Sequence, residues 1–452
     1  MLCLCILIYI AGCCLIPPLL KIKTAENVEL SQEISAAGRI CVIDDNTEAL
    51  LWRLRMIQEA KREIILVTFE LRDDTSGCAV MASLLEAADR GVKVWVLVDG
   101  IEGELRLHGS RKFEAFLSHE NIEVKYYNPL RITVLWKVNY RLHDKYLIID
   151  DTTYLLGGRN THDVYLGEFS GSAQEDRDVV VYETQDDGYT SIDALRDYFE
   201  DTWSLDDCVL LSGSLDDQEQ KEIRNALAEG LAGLTCQPEY EITPVDWYSE
   251  TIAADSITLL AGEPEAWNKA PVLWEKLCRL METADQNVII ETPLIICDSQ
   301  MRSDLAKISS GPAFMQIITN GPEINVNLLA ADYSYQRDKM LEIGIPVSEY
   351  CGDRCIHTKT ILIDDNLSVI GSFNLDARSA YIDTELMLVI DSRELNGILR
   401  GEIEEMQQQS RQMMPDGLVT FGSDYEVAEI PFKRKCFYTV FRIPFRVFQY
   451  LI

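Results

Sequence analysis

The stretch HDKYLIID at 143–150 recurs as HTKTILID at 357–364, and GGRN at 157–160 recurs as GSFN at 371–374. His143 and His357, Lys145 and Lys359, Asp150 and Asp364, and Asn160 and Asn374 are each 214 positions apart. A repeat at one fixed offset implies a duplicated architecture. A His and a Lys two residues apart on a strand project to the same face. The apolar run that follows carries the strand out of a buried sheet. The glycines then let backbone approach a bound anion closely. Five histidines occur in the chain, and two of them stand in these motifs.

Outward from the motifs, helical and strand-like patterns alternate. TEALLWRLRMIQEAKR leads into EIILVTFEL at 63–71, CAVMASLLEAADRG into KVWVLVDG at 93–100, and SRKFEAFLSHEN into IEVKYY at 122–127. The second half repeats the scheme, with NVIIETPLII at 287–296, then FMQIITNG and IPVSEY, each after a helical stretch. Gly91 and Gly344 stand where helices should end. Short connections between alternating helices and strands indicate an α/β layer fold.

The chemistry follows from having the set twice. One His can attack phosphorus and form a covalent intermediate. A second can protonate the leaving oxygen and then deprotonate an incoming alcohol. Two Lys and two Asn can hold the non-bridging phosphate oxygens without a metal. Each half alone lacks the second His, so the halves must face one another to complete a site.

These motifs resemble the phospholipase D superfamily, defined by duplicated H-x-K-x-x-x-x-D sequences, and the resemblance runs from about residue 40 to 430. NIEVKYYNPL (121–130), VNYRLHDKYLIID, GGRNTHDVYLG, IITNG, YSYQRDKMLEIGIPVSEY and GSFNLDARSAYIDTELMLVI are similar to bacterial phospholipase D-type cardiolipin synthases. The resemblance implies an α/β fold of two tandem phospholipase D-like αβα sandwich repeats. They would form a pseudo-dimer with one active site at the interface. It implies His143 as nucleophile and His357 as general acid and base. Lys145, Lys359, Asn160 and Asn374 would bind the phosphate, with Gly158 and Ser372 beside it. Glu385, eleven residues after Asn374, would orient a catalytic His. Matching DRDVVV to ELMLVI pairs Asp176 with Glu385, Asp178 being the alternative. Asp150 and Asp364 complete the motifs, and a turn role at the strand end explains them equally well. Asp383 stands where relatives often have Asn, and Gly158 where many have Ser. His162 and Asp163 suit a solvated loop as well as a substrate contact. Tyr333 and Arg337 match the branch, and Arg337 suits a headgroup phosphate or a pair with Glu342.

The implied activity is phosphatidyl transfer through a phosphohistidine, most simply cardiolipin synthesis from phosphatidylglycerol, with phosphatidylethanolamine a second candidate substrate. Hydrolysis to phosphatidic acid is the alternative, and phosphodiester cleavage in nucleic acid ranks below it. The balance of 41 basic and 74 acidic residues, a net charge of −33, opposes nucleic-acid binding. A hydrophobic content of 47% excludes disorder over most of the length. Thirteen scattered cysteines form no disulfide framework. CGDRCIH at 351–357 lacks a fourth ligand at zinc-finger spacing, so neither metal nor cofactor is expected.

Both ends point to a membrane. Residues 2–20 carry no charge and are long enough to span a bilayer. A cleaved signal or lipoprotein leader lacks its usual preceding basic residue. Lys21 and Lys23, just after this segment, favour a cytoplasmic body. PFKRKCFYTVFRIPFRVFQYLI at 431–452 is basic and aromatic, as docking on anionic lipid requires. The expected divisions are an anchor at 1–22, repeats at 25–235 and 236–430, and a tail at 431–452. The expected location is a bacterial cell membrane.

Overall fold

The computed structural model describes residues 35–184, 188–325, 331–426 and 429–447, with residues 9, 11–13 and 450. It divides into two compact units. The first holds Ile34–Ala254 and Pro264–Trp267, the second Asp255–Glu263 and Asn268–Ile452. The stretch 236–254 goes with the first unit because Arg55 binds it there. Its guanidinium donates to the carbonyls of Thr243 (2.8 Å) and Pro244 (3.2 Å) and pairs with Glu250 at 2.6 Å.

Among the described residues of the first unit eight strands form one sheet. They are β1 (Ser35–Ile43), β2 (Glu63–Thr68), β3 (Lys93–Asp99), β4 (Ile122–Tyr127), β5 (Tyr146–Ile149), β6 (Thr153–Gly157), β7 (Asp178–Glu183) and β8 (Cys208–Leu210). Their order is β8-β4-β3-β2-β5-β6-β7-β1, parallel across β4-β3-β2 and antiparallel elsewhere. Burial on both faces is why β2 reads as a continuous apolar run: Ile64 and Leu66 join one core cluster, and Ile65 and Val67 are buried opposite.

The second unit repeats this order. Its strands are β9 (Ile252–Ala261), β10 (Asn287–Glu291), β12 (Phe314–Asn320), β13 (Val347–Tyr350), β14 (Thr360–Ile363), β15 (Leu367–Gly371), β17 (Leu386–Asp391), β18 (Ser410–Met413) and β19 (Val419–Phe421). The order is β19-β18-β13-β12-β10-β14-β15-β17-β9, with β13-β12-β10 parallel. Strand for strand this is the first sheet with one edge strand added. A two-residue parallel pair, β11 (Ile295–Ile296) with β16 (Leu375–Asp376), matches a single bridge from Leu71 to Thr161. The chain is therefore a mixed α/β protein of two tandem repeats.

Helices begin where short polar side chains cap them. Asp74 accepts from the N–H of Gly77 before Thr75–Asp89, and Asp298 from that of Met301 before Ser299–Ser309. Gly91 (φ 93°) and Gly344 (φ 88°) follow helix ends in the left-handed conformation that glycine adopts at least cost. Residues 432–447 form a helix containing Pro444. The apolar segment at 2–20 lies largely outside the described residues, among which no helix is long and apolar enough to cross a membrane.

One expectation needs correction. The motif His and Lys are not within a strand. They lie on the chain just ahead of β5 and β14, because ladder pairing starts only at Tyr146 opposite Val67 and at Thr360 opposite Glu291.

Candidate active site

The motif's Asp fixes the strand from its far end. Asp150 and Asp364 both have positive φ (48° and 50°) at the turn of the β5–β6 and β14–β15 hairpins. Asp150 accepts the backbone N–H groups of Lys61 (3.0 Å), Arg62 (2.8 Å) and Glu63 (3.0 Å). Asp364 does the same with Asp285 (3.0 Å), Gln286 (2.7 Å) and Asn287 (3.0 Å). Burial opposes the charge of Asp364, but the three N–H donors and Arg400 outweigh it and hold its carboxyl below the usual range. Both aspartates sit a full strand away from their histidines, which gives them a positional role.

A second anchor acts on the other side of each His. Asp99, ending β3, accepts the N–H of Leu142 at 3.0 Å. Asn320, ending β12, accepts that of Ile356 at 2.8 Å. Asp99 is fully buried and also binds Arg141 at 2.8 Å. These two residues were missed from sequence, although both strands visibly end in Asp-Gly or Asn-Gly. With the residue before it pinned, each His has little freedom. Lys145 and Lys359 are buried and turn back to donate to the carbonyls of their own motif histidines. Lys359 Nζ also lies 2.7 Å from Nδ1 of His357. His143 meets the edge of Phe69 at 5.4 Å, and Lys145 lies 5.6 Å from the same ring.

Behind the motifs runs the Gly-x-x-Asn turn. Gly157 N–H donates to Lys145 O (3.2 Å), and Gly371 N–H to Lys359 O (3.3 Å). Gly158 N–H then donates to Arg177 O (3.1 Å), and Ser372 N–H to Leu386 O (2.9 Å). This register makes Asp176 the counterpart of Glu385. Asp178 is engaged elsewhere, paired with Arg53 at 2.9 Å and Arg159 at 3.4 Å. Asp176 and Glu385 are both buried. A Cβ on Gly158 would come within 2.2 Å of Asp176 Oδ1, so the first copy has no room for the serine of the second. Among the described residues, Oδ1 of Asn160 and Oδ1 of Asn374 are buried without a hydrogen-bonding partner. An unmade buried hydrogen bond costs about 1–3 kcal/mol. The same atom is left over at the equivalent position of each copy. Rotation of either carboxamide presents its N–H2 group instead.

A family model described as "Cardiolipin synthase, PLD-like domain" matches residues 54–203 and 277–407, which include both motifs. The chain belongs to this family. It is a phospholipase D-type, phospholipid-modifying enzyme of the phosphatidyltransferase kind. Cardiolipin synthase C of Escherichia coli is 25% identical over 406 residues, covering 78% of this chain and 81% of that protein. An uncharacterized protein of Helicobacter pylori is 25% identical over 437 residues, covering 85% and 82%. The crystal structure of phosphatidylserine synthase from Haemophilus influenzae superposes with a TM-score of 0.67 at 18% identity, covering 94% of this chain and 98% of that one. That likeness speaks to the fold.

Within this cardiolipin synthase-like frame the copies differ in what supports the acid. Ser372 Oγ donates to Glu385 Oε2, and Ser379 Oγ donates to Oε1 at 2.5 Å. Ser379 Oγ also accepts the N–H of Asn374 at 3.2 Å, so one hydroxyl joins the acid to the Gly-x-x-Asn turn. Ser379 escaped the sequence reading because its partners are distant or backbone groups. Asp376 accepts the N–H of Ser379 at 2.8 Å. Burial, reinforced by Asp383 and Glu385, pushes the Asp376 carboxyl up to about 7.

In the first copy His162 is buried, its Nε2 3.2 Å from Glu70. Burial opposes the charge of Glu70, but His162 and Arg72 overcome it and hold its carboxyl at about 2. Asp163 accepts the N–H (2.7 Å) and hydroxyl (2.9 Å) of Ser76, so this pair is packed rather than loop-solvated. Arg337 pairs with Asp338 and, at 3.2 Å, with buried Glu349, while Glu342 is taken by Lys339. Tyr333 also donates to Glu349, at 2.9 Å. Asp383 pairs with Arg378 at 2.8 Å. Among the described residues no group of three His, Cys, Asp or Glu is placed to hold a metal. Cys351 Sγ faces Glu323 and Cys355 Sγ the carbonyl of Ile324.

Proposed function

We propose that this protein is a cardiolipin synthase of a bacterial cell membrane, with its body on the cytoplasmic side, and that its two half-sites act as one. The observation that carries the reading is the duplicated half-site itself. Each contains a His held from both ends, a buried Lys and an Asn whose buried amide oxygen has no hydrogen-bonding partner among the described residues. His143 attacks the phosphorus of one phosphatidylglycerol and forms a phosphatidyl-histidine. His357 gives the departing glycerol its proton. The glycerol hydroxyl of a second phosphatidylglycerol then enters, His357 takes its proton back, and the new bond to phosphorus releases cardiolipin and free His143. Lys145, Lys359, Asn160 and Asn374 stabilise the charge spread over the non-bridging oxygens. Glu385 and Asp176 orient the two rings. The cycle needs neither metal nor cofactor, and phosphatidylethanolamine is a second candidate substrate.

The test is a product assay. Purified protein in detergent is given phosphatidylglycerol, with and without phosphatidylethanolamine, and the lipids are identified by mass spectrometry. Cardiolipin is the expected product, and His143→Ala or His357→Ala should lower its rate by at least about 10³-fold. Phosphatidic acid alone would replace the transferase reading with a hydrolase.

A further inference from the structure

The helix Phe432–Val447 is seated on the second unit by one side only. Arg434 donates to the carbonyls of Glu323 (3.1 Å) and Asn325 (2.7 Å), and Tyr438 to the latter at 3.4 Å. Arg446 pairs with Asp332 at 2.7 Å, its guanidinium 3.6 Å from the centroid of Tyr335. Residues 434, 438 and 446 lie at intervals of four and eight, so they share a face.

The opposite face is apolar and open. At 100° per residue, Phe432, Cys436, Val440 and Ile443 fall in one narrow sector. Phe432 is 80% exposed, Val440 66% and Ile443 60%. Cys436 between them is exposed as well. Lys433 borders this stripe on one side, exposed Lys435 and Arg442 lie beyond its other edge, Arg442 at the groove lined by Asp332 and Tyr335, and the helix contains no acidic residue. Phe437, Phe441 and Phe445 pack together along the helix, with Phe437 and Phe441 centroids 4.4 Å apart, and stiffen it.

A row of large exposed apolar side chains marks a surface that something covers. The flanking cations select what covers it. The rest of this chain is strongly acidic, so a uniformly basic helix is out of character with its own protein. Five cations in sixteen residues exclude a spanning helix. They suit one lying in the headgroup plane, apolar side down.

We propose that the helix Phe432–Val447 docks in the plane of an anionic bilayer. Phe432, Val440 and Ile443 enter the acyl boundary, and Lys433, Lys435 and Arg442 meet the headgroup phosphates. The inference rests on the membrane setting of the function assigned above, but its test does not use turnover. Amide hydrogen exchange is followed in the full chain, with vesicles of phosphatidylcholine and with vesicles that also contain phosphatidylglycerol. On the anionic vesicles exchange over 432–447 should slow at least about tenfold. Protection should be lost in Phe432→Ser/Val440→Ser/Ile443→Ser, and in Lys433→Gln/Lys435→Gln/Arg442→Gln as salt-sensitive binding fails. Phe432, Val440 and Ile443 are outside the seat on the body, so exchange of the apolar variant without vesicles should match wild type and show that the helix is folded. Unchanged exchange in wild type on anionic vesicles would overturn the proposal, as would equal protection of the apolar variant. Protection in a protein that turns over no lipid would sustain docking and sink the assigned reaction instead.

Discussion

In the second half of the molecule Glu385 lies under the hydroxyls of Ser372 and Ser379. In the first, Asp176 leans over a glycine and accepts the N–H of Arg177 at 2.8 Å. The position of Ser379 is held there by Tyr165, packed on His162 at 5.0 Å. Where the first half has Glu70, Arg72 and His162, the second has Leu294, Ile296 and Asp376 around the equivalent parallel pairing. A carboxylate surrounded by cations falls to about 2, and one left among apolar residues and other acids rises to about 7. The hydrogen bonds that place each His are the same in both halves. The difference teaches that duplication kept the geometry and let the electrostatics diverge.

The largest expected effect tests the buried acid Asp376. Asp376 has a folded pKa of about 7 against an ordinary 3.8, so the folded state holds a proton that the unfolded state has released between those values. Its stability contribution is complete below about pH 4 and is lost as pH rises towards 7. Asp376→Asn should match wild type near pH 4 and exceed it by up to about 4 kcal/mol near pH 8. Urea midpoints across that range measure the gap, and a constant gap would break the claimed contrast. Next comes the shared part. Asp150→Ala and Asp364→Ala each leave three N–H groups without their acceptor and should each cost about 2–3 kcal/mol in chemical denaturation. Markedly unequal losses would show that the two hairpins are not equivalent. Smallest is the serine bridge. Ser379→Ala should lower kcat about tenfold with little change in KM, and Ser379→Thr should recover part of it. Tyr165→Phe in the first half should leave kcat as it was.

Much of this was legible in the sequence because it is local. The 214-residue offset and the helix–strand alternation required no tertiary information and led to the tandem α/β repeats. The match of DRDVVV with ELMLVI anticipates the register in which Arg177 and Leu386 accept from Gly158 and Ser372. What was hidden depends on contacts across the fold. Asp99 and Asn320 lie 43 and 36 positions before the residues they anchor. Glu349 gathers Tyr333 and Arg337 from one helix and Arg411 from a strand, so no neighbour in sequence reveals why Arg337 avoids Glu342. The elevated pKa of Asp376 arises from burial, which spacing does not encode.

The hairpin lock gives the motif's spacing a metric meaning. From Asp150 back to Lys145 the chain is nearly straight, which at strand rise is roughly 16 Å. The aspartate clamps one end of this rod to the start of β2, and the lysine and histidine occupy the other. The motif is therefore a ruler. One residue inserted between Lys and Asp would leave the clamp intact but turn the lysine to the other side of the sheet, because side chains alternate with a period of two. The four residues between them count out a length, and the lysine and histidine stand where that length runs out.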